Sequence, residues 1–255
     1  MFNVSPGVSV DYYKRLEQGR ARNVSPEVLD AVARALRLDA DERAHLHNLA
    51  KPAAARKRPS RPQQVGSELR QALDALSSVP AYIIGRRLDV LAWNEQARLL
   101  IADFPTLAAA ERNMARLVFL DEASRDLYPD WETKARDTVA NLRFDAGRPD
   151  DPRLAGLVGE LSLASSDFRR LWASHTVHAK TRGRKRFRHP QIGELALDYV
   201  AMRAPDDPDM TMMIYSAPTG SAAAANLQLL CALTAGRPSH ANSAPDPVLQ
   251  ETEHP

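Results

Sequence analysis

The chain has 255 residues, of which 44% are hydrophobic and 26% are charged, and its formal net charge is +2. This is the composition of an ordinary globular protein with one or two domains, and the small net charge excludes binding of polyanions through bulk charge. A single cysteine, Cys231, excludes an internal disulfide framework and a cysteine-rich zinc site. The sequence shows neither a signal-peptide pattern nor an apolar run of membrane-spanning length, so we expect a cytoplasmic protein that does not enter a membrane.

The first helix is predicted over residues 10–18, with Ser9 as its N-cap and Gly19 at its end. Its polar side chains recur at i, i+3, i+4 and i+7, which places them in one stripe along the helix. The residues of this stripe are Asp11, Lys14, Arg15 and Gln18. A stripe of this kind is typical of a solvated helix surface, but it also suits a helix that contacts base edges.

Two more short helices are predicted before residue 51. Ser25, Pro26 and Glu27 supply a cap, a proline at the first helical position and an acid in the first turn. The helix that they begin is expected to bury four apolar side chains, those of Val28, Leu29, Val32 and Leu36. Asp39 and Glu42 then predict a capping pair for a third helix that reaches about residue 50.

The order of these features resembles a known family. The stretch GVSVDYYKRLEQGRARNVSPEVLDAVARALRL, residues 7–38, is similar to the second half of a lambda-repressor-like (XRE-type) helix-turn-helix domain, in which the helix after the G-V-S turn is the recognition helix. The resemblance implies that six side chains face a groove of double-stranded DNA, namely those of Ser9, Asp11, Tyr12, Lys14, Arg15 and Gln18. It also implies that Arg20 and Arg22 lie near the phosphate backbone.

The same family places two helices before the G-V-S turn, whereas only residues 1–6 precede it here. We therefore expect an incomplete helix-turn-helix domain over residues 7–50, in which Val10, Tyr13 and Leu16 lose part of their cover. The cost is about 1.5–3 kcal/mol for each large apolar side chain left exposed. Two explanations stay open: the natural start lies upstream, which we favour, or the chain is a shortened regulator that does not bind DNA alone.

Residues 51–66 are rich in proline, arginine and glutamine and contain little apolar content. This composition predicts a flexible, extended and basic linker. The larger unit, residues 67–234, begins with a helix that carries Leu69, Leu73 and Leu76. Residues 235–255 are polar, with proline and serine, and are predicted to be a disordered tail.

The larger unit is predicted to mix strands and helices. Short apolar runs at residues 82–84 and 90–93 predict two strands joined by a turn at Gly85, and Asn94 is the predicted cap of the helix that follows. Helical spacing then recurs in an apolar stripe formed by Trp131, Ala135, Val139 and Leu142, and it continues to about residue 172. After Ser174 the period shortens to two, and GELALDYVAMRA and DMTMMIYSA predict antiparallel strands. A last helix carries Leu227 and Leu230, so the fold class is α+β.

This unit is also similar to a known family. The blocks PAYIIGRRLDVLAWNEQARLL, KRFRHPQIGELALDYVAM and MIYSAPTGSAAAANLQLL, with the helical stretch between them, resemble the ligand-binding domain of MmyB-like transcription regulators over residues 79–230. The resemblance implies a PAS-like fold, an antiparallel sheet with helices packed over one face. It also implies that a small hydrophobic ligand, such as a fatty acid, binds between the sheet and the helices.

Several large side chains are candidates for contacts with such a ligand. They lie in the elements that would form the site, although each is equally compatible with a plain core position: Trp93, Trp131, Trp172, Tyr199 and Met212. A carboxylate ligand would need a cation or an imidazole at its head group. The candidates for that role are Arg170, His175 and His189, each of which also suits a solvated or structurally bonded residue.

Basic residues alternate from Lys180 to Arg188 and would form a positive ridge on a hairpin. Such a ridge suits DNA backbone or an acidic partner, and it equally suits a solvated surface. Enzymatic function is not indicated, because the chain has no G-x-S-x-G, no phosphate-binding glycine loop and no H-E-x-x-H. We predict no catalytic residue, no cofactor and no metal.

Together these features predict a bacterial one-component transcription regulator that binds operator DNA as a homodimer on paired half-sites. Ligand occupancy of the PAS-like domain would shift the balance between DNA-competent and DNA-incompetent arrangements. The alternative is a truncated sensor or partner protein that binds ligand and related chains but not DNA by itself.

Overall fold

The computed structural model describes residues 24–50, 63–146, 151–174, 182–204, 207 and 209–234. Near its start, helix α1 (Pro26–Ala35) has proline in its first turn, as the sequence predicts. Ser25 stands at the predicted N-cap position, but its side chain forms no capping hydrogen bond. Leu29 and Val32 are buried. Leu36, predicted to be buried, is 51% exposed, because the helix ends at Ala35 and Leu36 belongs to its cap.

Helix α2 (Ala40–Ala50) begins with the predicted capping pair. The backbone N–H of Glu42 donates to Oδ1 of Asp39 over 2.8 Å, and the N–H of Asp39 donates to Oε2 of Glu42 over 3.0 Å. This reciprocal arrangement satisfies two backbone donors that a helix start otherwise leaves without partners. Asp30 of α1 accepts from Arg43 and is hydrogen-bonded to His47, which joins the two helices.

A five-stranded antiparallel sheet forms the centre of the larger unit, with the strand order β2-β1-β5-β4-β3. Its strands are β1 (Ala81–Ile84), β2 (Val90–Trp93), β3 (Arg182–His189), β4 (Gly193–Arg203) and β5 (Thr211–Ser216). The first two strands are joined through a tight 3-10 turn, and the last three form the predicted meander. Tyr199 of β4 lies directly opposite Tyr215 of β5 in the register of these two consecutive strands.

The two faces of the sheet contact different parts of the chain, because successive side chains of a strand point to opposite sides. The inner face packs against most of the helices through aromatic and aliphatic side chains, among them Tyr82, Trp93, Phe187, Leu197, Tyr199 and Tyr215. The outer face of β1, β2 and β5 is covered by helix α3 (Ser67–Ala75), whose Leu73 is fully buried.

The remaining described helices pack on or beside the inner face. They are α4 (Glu95–Leu100), α5 (Met114–Leu120), α6 (Ala123–Leu127), α7 (Trp131–Ala146), α8 (Pro152–Ala164), α9 (Ser166–Ala173) and α10 (Ala222–Thr234). Polar caps begin several of them: Asn94 accepts from the N–H of Ala97, and Asp151 accepts from that of Leu154. The predicted apolar stripe of α7, including Trp131, Val139 and Leu142, is buried.

The predicted α+β class, an antiparallel sheet covered by helices, is therefore confirmed. Within the described parts of the chain, the helices are all too short or too polar to cross a lipid bilayer.

Candidate functional site

A cavity of about 520 Å³ opens between helices α4, α5 and α6 and the turn after β3. Its walls are mainly apolar and include Leu99, Met114, Leu117, Val118 and Tyr128. A volume of this size falls within the range of small-molecule sites, about 300–1,000 Å³. The cavity is therefore large enough for a small organic ligand, and its walls favour an apolar one.

Ser124 is the polar group of this cavity that stands out. Its residue is 5% exposed, and among the described residues its Oγ has no hydrogen-bond partner. Buried hydroxyls in folded proteins nearly always have a partner, because leaving one without a hydrogen bond is costly. A ligand with a polar atom can supply the missing bond.

His189, one of the predicted head-group residues, also lines the cavity, but both of its ring nitrogens are engaged. Nδ1 accepts from the backbone N–H of Gln191 over 3.2 Å, so Nε2 carries the proton and donates to the carbonyl of Leu99 over 3.0 Å. The ring therefore joins the end of β3 to α4. Because both ring nitrogens of His189 bond to the backbone, neither of them is left to bind an acidic ligand.

The two arginines that line the cavity, Arg98 and Arg188, both form ion pairs. Arg98 donates to Glu95 over 2.5 Å and to Asp103 over 2.7 Å, and Arg188 lies 3.3 Å from Glu194. The hydrogen bond to Glu95, with support from Asp103, raises the pKa of Arg98 further above the ordinary arginine value. These pairs balance the positive charges of the two arginines.

The predicted tryptophans are not among the residues that line this cavity. Trp131 is one layer behind, because its Nε1–H donates over 3.0 Å to the carbonyl of Val118, a wall residue. The ring of Trp93 packs against Phe104, with centroids 5.0 Å apart. Trp172 stacks on Phe168 at 5.5 Å. All three therefore contribute to the core that supports the site.

The other predicted ligand residues are not brought together. Arg170 is on the exposed surface of α9, where it donates to Asp167 and Glu132 over 3.0 Å each. Tyr199 belongs to the inner face, but Met212 packs with Leu73 on the outer face, so the sheet separates these two side chains. His175 lies outside the described residues.

A buried polar cluster lies between α7 and the inner face of the sheet. Lys134 of α7 is 8% exposed, and its Nζ is 5.2 Å from the ring centroid of Tyr128. Lys185 of β3 directs its Nζ toward the ring of Tyr199, at 5.1 Å. Asp137, one turn after Lys134, is 9% exposed. Two lysines, an aspartate and several tyrosines thus lie close together here, with Lys134 and Asp137 buried and Lys185 half-buried.

The predicted positive ridge of β3 is present among its described residues, but acidic neighbours balance it. Arg184 donates to Asp198 over 2.8 Å, and Arg186 lies 3.4 Å from Asp130. Arg188 pairs with Glu194, as described above. These exposed pairs screen the ridge, so the described part of β3 offers little unbalanced charge to DNA.

Comparison with family models identifies both units. The model of the MmyB-like transcription regulator ligand binding domain matches residues 65–230, which contain the sheet, the cavity and the polar cluster. The chain belongs to this family. A helix-turn-helix domain model matches residues 6–46, and no curated protein matches the chain. The two domains are those of a DNA-binding transcription regulator with a ligand-sensing domain, as both resemblances predict.

The helix-turn-helix match spans all the predicted DNA-contacting residues. These are Ser9, Asp11, Tyr12, Lys14, Arg15, Gln18, Arg20 and Arg22, and they lie outside the described residues. The described remainder of this domain consists of α1 and α2, which Asp30 joins; Asp39 and Glu42 cap the start of α2.

Sequence reasoning missed three residues of the MmyB-like domain: Ser124, Lys134 and Lys185. A signal existed for Lys134, because it follows Trp131 by three positions and precedes Ala135 in the predicted apolar stripe of α7. Lys185 alternates with exposed arginines and shares its strand face with the buried Phe187. Ser124 gave no signal, since its lack of a partner depends on its three-dimensional surroundings.

Proposed function

We propose that this protein is a bacterial one-component transcription regulator of the XRE type. It binds operator DNA as a homodimer through its helix-turn-helix domain, and its PAS-like MmyB-type domain senses a small hydrophobic ligand such as a fatty acid. The observation that carries the sensing half is the apolar cavity of about 520 Å³ within the family's ligand-binding domain. Because its target is DNA, we place the protein in the cytoplasm.

The ligand-binding half can be tested by filling the cavity. Ala102 lines it, so Ala102→Trp introduces an indole ring into the space that a ligand would occupy. Leu163→Trp, at a side chain that is 86% exposed, is the matched control. Dodecanoic acid should bind the wild type and the control alike, and bind A102W at least about tenfold more weakly. Equal binding by all three proteins would exclude this cavity as the site.

The DNA-binding half follows from the family resemblance of the stretch that contains Lys14 and Arg15. A fragment selected from genomic DNA by the full chain should bind with an affinity that falls steeply with salt, because binding releases counterions from phosphates. Lys14→Ala combined with Arg15→Ala should abolish selection, whereas Arg136→Ala, on the exposed surface of α7, should not. Ligand binding without any site-specific DNA binding would instead favour a sensor that acts through related chains.

Regulation requires that the ligand bind the DNA-competent and DNA-incompetent arrangements unequally. A hundredfold change in operator affinity corresponds to a difference of about 2.7 kcal/mol between the two binding free energies. Sedimentation equilibrium with and without dodecanoic acid tests whether this difference acts through the proposed homodimer.

A further inference from the structure

A second cleft, of about 720 Å³, lies between the turn that joins β1 to β2, the start of α5 and one face of α8. The residues that α8 contributes recur at i, i+3, i+4 and i+7, namely 153, 156, 157 and 160. We call it the arginine cleft, because four arginines line it: Arg87, Arg112, Arg116 and Arg153. It shares no wall residue with the apolar cavity described above.

The charges that line the arginine cleft are unequal in number. Among the described residues, the four arginines face two acids, Asp89 and Glu160. Arg87 pairs with Asp89 over 2.7 Å and with Asp151 over 2.8 Å, and Arg116 pairs with Glu160. Asp151 does not line the cleft, and it also accepts from two backbone N–H groups at the start of α8. The acids are therefore taken up by two of the four arginines.

The other two arginines, Arg112 and Arg153, have no carboxylate partner in the part of the chain that the structure describes. Nε of Arg112 donates to the carbonyls of Phe104 and Leu107 over 2.9 and 3.1 Å, and its guanidinium lies 5.3 Å from the ring centroid of Trp93. These partners are all neutral. Arg153 is exposed, and its side chain forms no hydrogen bond or ion pair within the described residues. The terminal N–H groups of both guanidiniums can therefore donate to an anion.

Arg116 adds a buried donor to the same cleft. Its terminal nitrogens donate to the carbonyl of Ala110 and to Glu160, but its buried Nε has no hydrogen-bond partner among the described residues. A buried N–H of a charged group without an acceptor is costly and uncommon in folded proteins. An oxygen atom of a bound anion would supply the missing acceptor.

The backbone of the turn that carries Arg87 points to a functional site independently of charge. Arg87 and Leu88 have φ angles of 59° and 64°, in the left-handed region that residues with side chains rarely adopt. The side chain of Asn113 donates to the Arg87 carbonyl over 2.7 Å and holds this conformation in place. Strained backbone of this kind is concentrated at ligand-binding and catalytic sites.

We propose that the arginine cleft binds the phosphate group of a small molecule through the guanidiniums of Arg112 and Arg153 and the Nε–H of Arg116. Guanidinium groups bind phosphate oxygens through paired, charge-assisted hydrogen bonds. A phosphomonoester carries a charge of about −1.5 to −2 at neutral pH, which suits two guanidiniums without carboxylate partners. The buried donor favours a small molecule that enters the cleft over the backbone of a DNA duplex. This inference goes beyond the proposed function, because it adds a ligand of different chemistry at a different place.

The arginine cleft also lies where the chain enters the MmyB-like domain. Gln63 lines the cleft, and its Oε1 accepts from the backbone N–H of Arg86 over 2.7 Å. The helix-turn-helix match ends at residue 46 and the MmyB-like match begins at residue 65, so Gln63 belongs to the segment between them. A bound phosphate would therefore lie beside the segment that joins the two domains.

The cleft can be blocked at a glycine that has a matched control on the same helix. Gly156 and Gly159 are both exposed on α8, and a Cβ added at either would meet no atom within 4 Å, but only Gly156 lines the cleft. Titration calorimetry on the full chain, in phosphate-free buffer at constant ionic strength, compares inorganic phosphate, glycerol 3-phosphate and glycerol. The wild type and Gly159→Trp should bind a phosphate compound and not glycerol, and Gly156→Trp should bind it at least about tenfold more weakly.

A second variant removes charge without filling the cleft. Arg153→Gln changes an exposed side chain that has no partner among the described residues, so the fold should be retained and phosphate binding should weaken about tenfold or more. Arg169→Gln is the control, because Arg169 is exposed on α9, donates to the carbonyl of Ser162 and does not line the cleft. It should bind phosphate as the wild type does.

The outcomes separate the possible ligands. Tighter binding of glycerol 3-phosphate would support a phosphomonoester, and tighter binding of inorganic phosphate would support the ion itself. If neither phosphate binds the wild type, or if G156W and R153Q bind as the wild type does, the inference is wrong. If G156W weakens binding of random duplex DNA but not of phosphate, the cleft contacts DNA instead and the small-molecule proposal is refuted. None of these results decides fatty-acid sensing, because the two sites share no wall residue.

Discussion

The Ser124 hydroxyl gives the sharpest test of the cavity, because its removal should stabilise the protein. Ser124→Ala deletes a buried polar atom that has no hydrogen-bond partner among the described residues. Ser165→Ala deletes a hydroxyl that is similarly buried, at 8% against 5% exposure, but accepts a hydrogen bond from the N–H of Phe168 over 3.2 Å. The same chemical change should therefore have opposite effects at the two positions.

The expected magnitudes follow from these contacts. An unpaired buried hydroxyl costs about 1–3 kcal/mol, so S124A should raise the free energy of unfolding by about 1 kcal/mol after the lost packing of one oxygen is subtracted. Ser165 is the N-cap of α9, and loss of such a cap typically costs about 1 kcal/mol. The two variants should differ by about 2 kcal/mol.

Urea unfolding followed by tryptophan fluorescence measures both variants, since Trp131 and Trp172 lie close to the two sites. The midpoint should move to higher urea for S124A and to lower urea for S165A, with unchanged slopes. The same S124A protein should bind a polar ligand several-fold more weakly if Ser124 donates to it. Equal destabilisation by both variants would show that the Ser124 hydroxyl is satisfied, and that it does not mark a ligand site.

Three further predictions concern the scaffold. Asn94→Ala removes the partners of Ala81 N, Ala97 N, Leu76 O and Val79 O, and calorimetry should show a loss of about 3 kcal/mol. The hydrogen bond from His47, against opposing desolvation, lowers the pKa of Asp30. The ionised Asp30 therefore stabilises the fold above the unfolded pKa of about 4, and this stabilisation is lost as the pH falls through the lower pKa of the folded state. In an acid titration followed by helicity, Asp30→Asn should lack this pH-dependent loss. Gly183→Ala would place Cβ 3.0 Å from Cε1 of Tyr199, and a loss of about 1 kcal/mol in urea unfolding is expected.

The parts of the fold that the sequence predicted are those set by local chemistry. The capping pair of Asp39 and Glu42 and the cap formed by Asn94 involve residues three positions apart, so their patterns are visible in the sequence. The apolar stripe of α7 was predicted for the same reason. Leu36 shows the limit of such patterns, because a shift of one residue in a helix end exposes a side chain that periodicity places inside.

The candidate site was harder to predict because it depends on register and on long-range packing. Met212 and Tyr199 both belong to predicted strands, but the pairing of Tyr199 with Tyr215 decides that Met212 faces away from it. The partners of Arg170 and His189 likewise come from the three-dimensional arrangement. Lys134 was within reach of sequence reasoning, since a lysine in the middle of an apolar helical stripe already indicates a buried charge.

The way in which a ligand could act on the rest of the protein follows from how the cavity is built. Helices α4, α5 and α6, which form its walls, have six, seven and five residues, so each is too short to be stable without tertiary contacts. A ligand that packs against them contributes to their stability directly, whereas the sixteen residues of α7 already bury a full apolar stripe. The bond from Trp131 to Val118 joins the two parts. Occupancy of the cavity would therefore act on α7 through this bond, which makes this helix the element whose position a ligand can bias.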